Sequence, residues 1–122
     1  MSPIIPAPRS KRGTRKDDLA ETLQWQIEHA LHLTVALEFR FHATRRWSVD
    51  AVILSHMLAI EIEGGFFLPG GGRHTRGAGA REDCVKYSEL CIAGFRLLRV
   101  LPEWVPSGHA FSLVERAVKG RP

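Results

Sequence analysis

The stretch Trp47–Gly65, WSVDAVILSHMLAIEIEGG, constrains this chain more than any other. It reads as two short strands joined by a tight turn near Ser55 and His56. Side chains alternate across a strand, so Met57, Ala59, Glu61 and Glu63 share one face of the second strand. Leu58, Ile60 and Ile62 share the other and are expected to be buried. Carboxylates on an otherwise apolar strand are costly to leave unpaired. The first strand has the same difficulty at Asp50, set among Val49, Ala51, Val52 and Ile53. Pairing the strands as a hairpin brings Asp50 toward the Glu61 and Glu63 side. Three converging carboxylates are most simply satisfied by a hard divalent cation, Mg²⁺ or Mn²⁺, because oxygen ligands suit it.

Helices and strands flank the hairpin. Residues 17–31 carry Leu19, Leu23, Ile27 and Leu31 at helical spacing, with Asp17 or Asp18 as N-cap. Trp25 lies off that stripe, and Glu21 and Glu28 read as solvated. Residues 34–42 alternate, which predicts Val35, Leu37, Phe39 and Phe41 on the inner face of a strand and Glu38, Arg40 and His42 on the outer. Residues 66–80 are rich in glycine and carry Arg73, His74 and Arg76. They lack the Gly-Lys-Ser/Thr of a phosphate-binding loop of the nucleotide triphosphatases. A second helix is expected over residues 81–93, ended by Gly94 at the left-handed position that follows a helix. Its buried stripe reads as Cys84, Tyr87 or Ser88, and Cys91, with Lys86 and Glu82 on another side. An apolar strand at residues 95–102 ends at Pro102, and a last helix spans 109–118 with Phe111, Val114 and Val118 inward. A strand reached through a crossover helix pairs in parallel. The expected fold is therefore α/β: a three-stranded antiparallel meander plus one parallel strand, flanked by helices.

Composition narrows the class. A chain of 122 residues with 44% hydrophobic content suits one modest core. Arg9, Lys11, Arg12, Arg15 and Lys16 stand in residues 1–16 with no acid among them, whereas the rest carries twelve basic and thirteen acidic side chains. The basic excess thus marks residues 1–16 as a tail expected to be disordered, either a phosphate-binding arm or a solubilising leader, ahead of a domain at 17–122. No stretch approaches the roughly 20 apolar residues of a membrane span, and no signal peptide is legible, so a cytoplasmic protein is expected. Cys84 and Cys91 lack partners at metal-ligand spacing and read as buried thiols.

Taken in order, EFRFHATRRWSVDAV, LAIEIEGG, the Gly/Arg loop, DCVKY and GFRLLRV resemble the PD-(D/E)XK nuclease superfamily, in particular its small phage and bacterial members. The resemblance runs from Glu38 to Val105. Asp50 matches the motif's Asp and Glu61 its second acid, while Glu63 stands where Lys is usual. The resemblance implies a divalent-metal-dependent endodeoxyribonuclease, with branched or junction DNA among its substrate classes. Asp50 and Glu61 would be metal ligands, completed by the Ile62 carbonyl that neighbours both. Glu63 is then a third ligand or base, or else a cation elsewhere has taken over the lysine's task. Lys86 is the first candidate and Arg81 the second, since some related proteins carry this lysine on a helix. Glu21 is placed where a first-helix Glu approaches the metal in many members. Arg45, Arg46, Arg73, His74, Arg76 and Arg81 surround the hairpin and could hold a DNA backbone. Cutting both strands would suit a homodimer, although no interface is legible.

Other chemistries fit less well. There is no Gly-x-Ser-x-Gly, and Ser55 falls in a turn. His29 and His32 lie three apart with no further zinc ligand. The Glu63 departure supports a second expectation, a non-catalytic DNA-binding module of the same fold. A third is a plain amphipathic strand whose carboxylates face water.

Overall fold

A computed structural model describes residues 15–64 and 78–120. In order, the elements are helix α1 (Arg15–Leu31), strands β1 (Ala36–Arg40), β2 (Ser48–Ile53) and β3 (Leu58–Ile62), helix α2 (Ala78–Ile92), strand β4 (Arg96–Val100), and helices α3 (Trp104–Ser107) and α4 (His109–Lys119). The sheet order is β1-β2-β3-β4. β1–β2 and β2–β3 are antiparallel, and β3–β4 is parallel through the α2 crossover. This is the α/β mixed sheet expected from the alternation of strand and helix patterns.

The two faces of the sheet are covered separately. One core joins Leu23 and Ile27 of α1, Leu58, Ile60 and Ile62 of β3, Val100 of β4 and Phe111 and Val114 of α4. The other joins Val49, Val52 and Ala59 to Leu90 of α2, with Phe39, Phe41, Tyr87 and Leu97 packed against it. All five residues of β3 are buried. Glu61 is thus the one charged residue in a central strand covered on both sides.

Several local expectations are corrected. Helix α1 begins at Arg15, so Arg15 and Lys16, counted with the basic tail, are helical. Glu28 is not simply solvated: its Oε2 accepts the Val35 N–H at 2.9 Å, tying α1 to the approach to β1. The inward face of β1 is not continuous, because Leu37 packs with the α1/α4 core and Phe39 with the α2 core. Glu38, between them, has φ +46°, which breaks the pleat. The pairing skips Glu38 and its opposite number Asp50, running from Leu37↔Ala51 to Phe39↔Val49. The face change thus falls at Asp50.

The second helix starts at Ala78 rather than residue 81 and turns a different side inward. Its sheet-facing row is Asp83, Lys86, Tyr87 and Leu90, half-buried to buried, whereas Cys84 and Cys91 are exposed. The misreading has a physical origin. Apart from Leu90, the inward residues are polar or amphipathic, so cysteine hydrophobicity pointed to the wrong side of a weakly amphipathic helix. Gly94, at φ +100°, ends α2 as expected: its N–H bonds the Cys91 carbonyl and the Phe95 N–H bonds that of Leu90. The short α3, Trp104–Ser107, lies between Pro102 and the last helix, where no element was expected.

Candidate active site

The β2–β3 ladder ends at Ala51↔Ile60. Beyond it the Ile62 N–H has no strand partner on the β2 side and donates instead to Asp50 Oδ2 at 2.7 Å. A strand residue presents its N–H and C=O along the same edge. The Ile62 carbonyl therefore also leaves toward the gap where β2 and β3 part. The gap thus brings together the Asp50 carboxylate, the Ile62 backbone and, one residue earlier on β3, Glu61.

Glu61 is 5% exposed and faces α2. Lys86 Nζ, reaching down from α2, lies 3.2 Å from its Oε2. On the other side of the sheet, Lys16 of α1 places its Nζ 3.3 Å from Asp50 Oδ2. Two lysines from two helices thus bracket two carboxylates from two strands. Burial, followed by the negative charge of Asp50, pushes the Glu61 carboxyl up to about 7, against the pull of Lys86 and Lys16.

Glu63 does not join this group. Arg99 of β4 holds it in a two-pronged ion pair, Nε to Oε2 at 2.7 Å and Nη2 to Oε1 at 3.1 Å. Arg99 sits opposite Glu61 in the parallel register, one alternation short of Glu63, so the reach is diagonal. Its guanidinium also lies 5.0 Å from the Tyr87 ring centre. Burial and the neighbouring Glu61 and Glu63 charges raise the Tyr87 phenol above its usual range. The convergence of three carboxylates is therefore corrected to two, and among the described residues no group of three or more His, Cys, Asp or Glu side chains is placed to hold a metal ion.

The remaining candidates are distributed as follows. Arg45 is engaged rather than free: its Nη2 is 2.7 Å from Glu82 Oε2, which also accepts the Trp47 indole N–H at 3.0 Å, and its guanidinium lies 4.0 Å over the Trp47 ring. That pairing takes Glu82 away from Lys86. His42, through Nε2, meets Glu89 at 3.3 Å and adds a second tie between α2 and the β1–β2 connection. Arg46 and Arg81 are exposed. Lys16, not Glu21, is the α1 side chain in contact with Asp50. Arg73, His74 and Arg76 lie outside the described residues.

Sequence reasoning missed Lys16 and Arg99. Both were detectable. The α1 stripe of Leu19, Leu23 and Ile27 extends back at helical spacing to residue 16, which places its lysine on the sheet side. Arg99 alternates with Leu97, so it shares the face of Glu61 once β4 is set parallel to β3. Comparison with family models, with curated proteins and with solved structures finds no match. No helix among the described residues is long and apolar enough to cross a membrane.

Proposed function

We propose that the protein is a divalent-metal-dependent endonuclease hydrolysing DNA phosphodiester bonds. One observation carries this reading: residues far apart in sequence, Asp50, Glu61 and Lys86, meet where two strands part, with Glu61 buried. The donor set suits Mg²⁺ or Mn²⁺, being two carboxylates and a backbone carbonyl, all hard oxygen ligands. The raised Glu61 carboxyl supports it further. Its anion is under-compensated by the two lysines, so added positive charge there is stabilising.

Asp50, Glu61 and the Ile62 carbonyl would hold the ion, which when bound supplies Lewis acidity and a water of lowered pKa. The chain's own groups do the rest. The Lys86 ammonium favours the ionised form of Glu61 and stands beside the cluster, positioned to orient a water or offset charge growing on the phosphate. Lys16, on the far side of Asp50, can exchange that carboxylate for a phosphate oxygen. Glu63, neutralised by Arg99, does not replace the usual lysine. Arg46 and Arg81 remain as exposed contacts for the DNA backbone.

The ion pairs favour a second reading. Asp50, Glu61 and Glu63 each have a cation of their own, as expected of a DNA-binding module of this fold that does not cleave. Incubating linear, nicked and four-way DNA with Mg²⁺, Mn²⁺ or EDTA separates the two. Metal-dependent cleavage that Asp50→Ala abolishes supports the hydrolase. Binding without cleavage on every substrate and with either ion refutes it.

A further inference from the structure

A cavity of about 610 Å³ adjoins the carboxylate gap and shares two residues with it, Lys16 and Ile62. Leu19, Ile62 and Pro102 form its apolar walls, and Arg15, Lys16 and Glu103 its polar edge. Its size lies within the range of small-molecule sites, roughly 300–1,000 Å³, and apolar walls with a few convergent charges are their usual character. We propose that this cavity is a nucleoside subsite: it takes one base and sugar of the substrate, while Lys16 at the shared boundary holds the attached phosphate. This rests on the hydrolase reading, which it deepens by naming the nucleotide as the recognised unit.

The occupant follows from charge and continuity. The cavity shares Lys16 and Ile62 with the carboxylate gap, so a phosphate held at that boundary can direct its own sugar and base toward Leu19 and Pro102. Among the described residues, two of the three charged ones at the edge are cationic, which favours an anionic ligand. Lys16 already spans the boundary, since it lines the cavity and meets Asp50 at 3.3 Å. The apolar faces of a base suit walls of Leu19, Ile62 and Pro102. Glu103, the acceptor at the edge, suits a base with an exocyclic amino group.

The test is calorimetric titration of the full chain, in EDTA, with deoxycytidine monophosphate and with deoxycytidine. The monophosphate should bind, and the nucleoside about tenfold more weakly, as expected for loss of charge-assisted hydrogen bonds. Lys16→Ala should bring the monophosphate down to the nucleoside's affinity. Gly64 also lines the cavity, and a Cβ there meets nothing within 4 Å among the described residues. Gly64→Trp puts a bulky ring at that lining position and should block both ligands. The unsubstituted protein gives an independent readout, because the methyl resonances of Leu19 and Ile62 should shift on adding the monophosphate. Absent binding, binding that Gly64→Trp leaves intact, or silent Leu19 and Ile62 methyls would each overturn the subsite. Its failure is separable from that of the hydrolase. Asp50-dependent cleavage without nucleotide binding defeats the subsite alone, whereas cavity binding without any cleavage upholds the subsite and defeats the hydrolase.

Discussion

Glu61 makes the folded protein less stable as pH rises, by an amount the structure fixes in order of magnitude. Its carboxyl is raised from 4.5 in the unfolded chain to about 7 in the fold. A raised acid binds its proton more readily when folded. Its contribution is therefore fully present below the lower value and lost as pH climbs through the upper one. The full loss is about 3 kcal/mol, and most of it falls between pH 5 and 8. Glu61→Gln keeps the shape and removes the titration, so the difference between the two proteins isolates this group from every other one. Urea unfolding followed by tryptophan fluorescence in EDTA, at half-unit steps from pH 5 to 8, measures it. The wild-type curve should fall relative to the variant by that amount with the slope against urea unchanged. Added Mg²⁺ should recover wild-type stability at pH 8 and do much less at pH 5, where the ligand is protonated. Parallel pH curves for the two proteins would refute the assignment of Glu61 as an under-compensated buried acid.

Lys86→Ala should lower cleavage turnover by roughly 10²-fold with little change in DNA affinity, and Lys86→Arg should rescue poorly, as single-turnover kinetics would test. The same variant should cost about 1–3 kcal/mol at pH 8 and little at pH 5, because only the ionised Glu61 needs its partner. Gly94→Ala should destabilise by about 1–2 kcal/mol through backbone strain alone, since the nearest atom to an added Cβ is Met57 Cε at 3.5 Å. Denaturant midpoints check this, with cleavage at saturating DNA unchanged.

The fold was legible because its periodicities are strong. Leu58, Ile60 and Ile62 alternate cleanly, Leu19, Leu23 and Ile27 repeat at helical spacing, and a crossover helix requires a parallel partner for β3. Helix α2 was not legible in detail. Its sheet-facing row includes, beside Tyr87, Asp83 and Lys86, which hydrophobic patterning reads as solvent-facing, while its cysteines and Ile92, at 76% exposure, face outward. That inversion puts Lys86 within reach of Glu61. The site residues of β2 and β3 could be found because a carboxylate in an apolar strand demands a partner. Which cation answers which carboxylate could not, because diagonal and cross-sheet pairs depend on register and twist: Arg99 reaches two positions along β4's neighbour, and Lys16 meets Asp50 opposite the break in the pleat at Glu38.

The pairing of charges leads to a last prediction. Asp50, Glu61 and Glu63 are matched by Lys16, Lys86 and Arg99, so without metal the cluster is close to neutral when Glu61 is ionised. A neutral cluster attracts a phosphodiester only weakly, because its two lysines are shared with the carboxylates. A dication on Asp50 and Glu61 would satisfy the carboxylates and free Lys16 and Lys86 to face the phosphate. Metal and DNA should therefore bind cooperatively, each raising the affinity of the other by the same factor, typically about 5–150-fold for coupled sites. Asp50→Asn should weaken metal binding and shrink the coupling while leaving much of the metal-free DNA affinity. Lys16→Ala combined with Lys86→Ala should leave the metal bound but lose the coupling, because the cations released by the metal are gone. Fluorescence anisotropy of a labelled duplex against Ca²⁺, an oxygen-ligated dication, with calorimetry of Ca²⁺ binding with and without DNA, gives both halves of the cycle. Equal DNA affinity with and without the dication would show that the lysines are not held in reserve by Asp50 and Glu61, and would remove the electrostatic basis for placing the scissile phosphate at this gap.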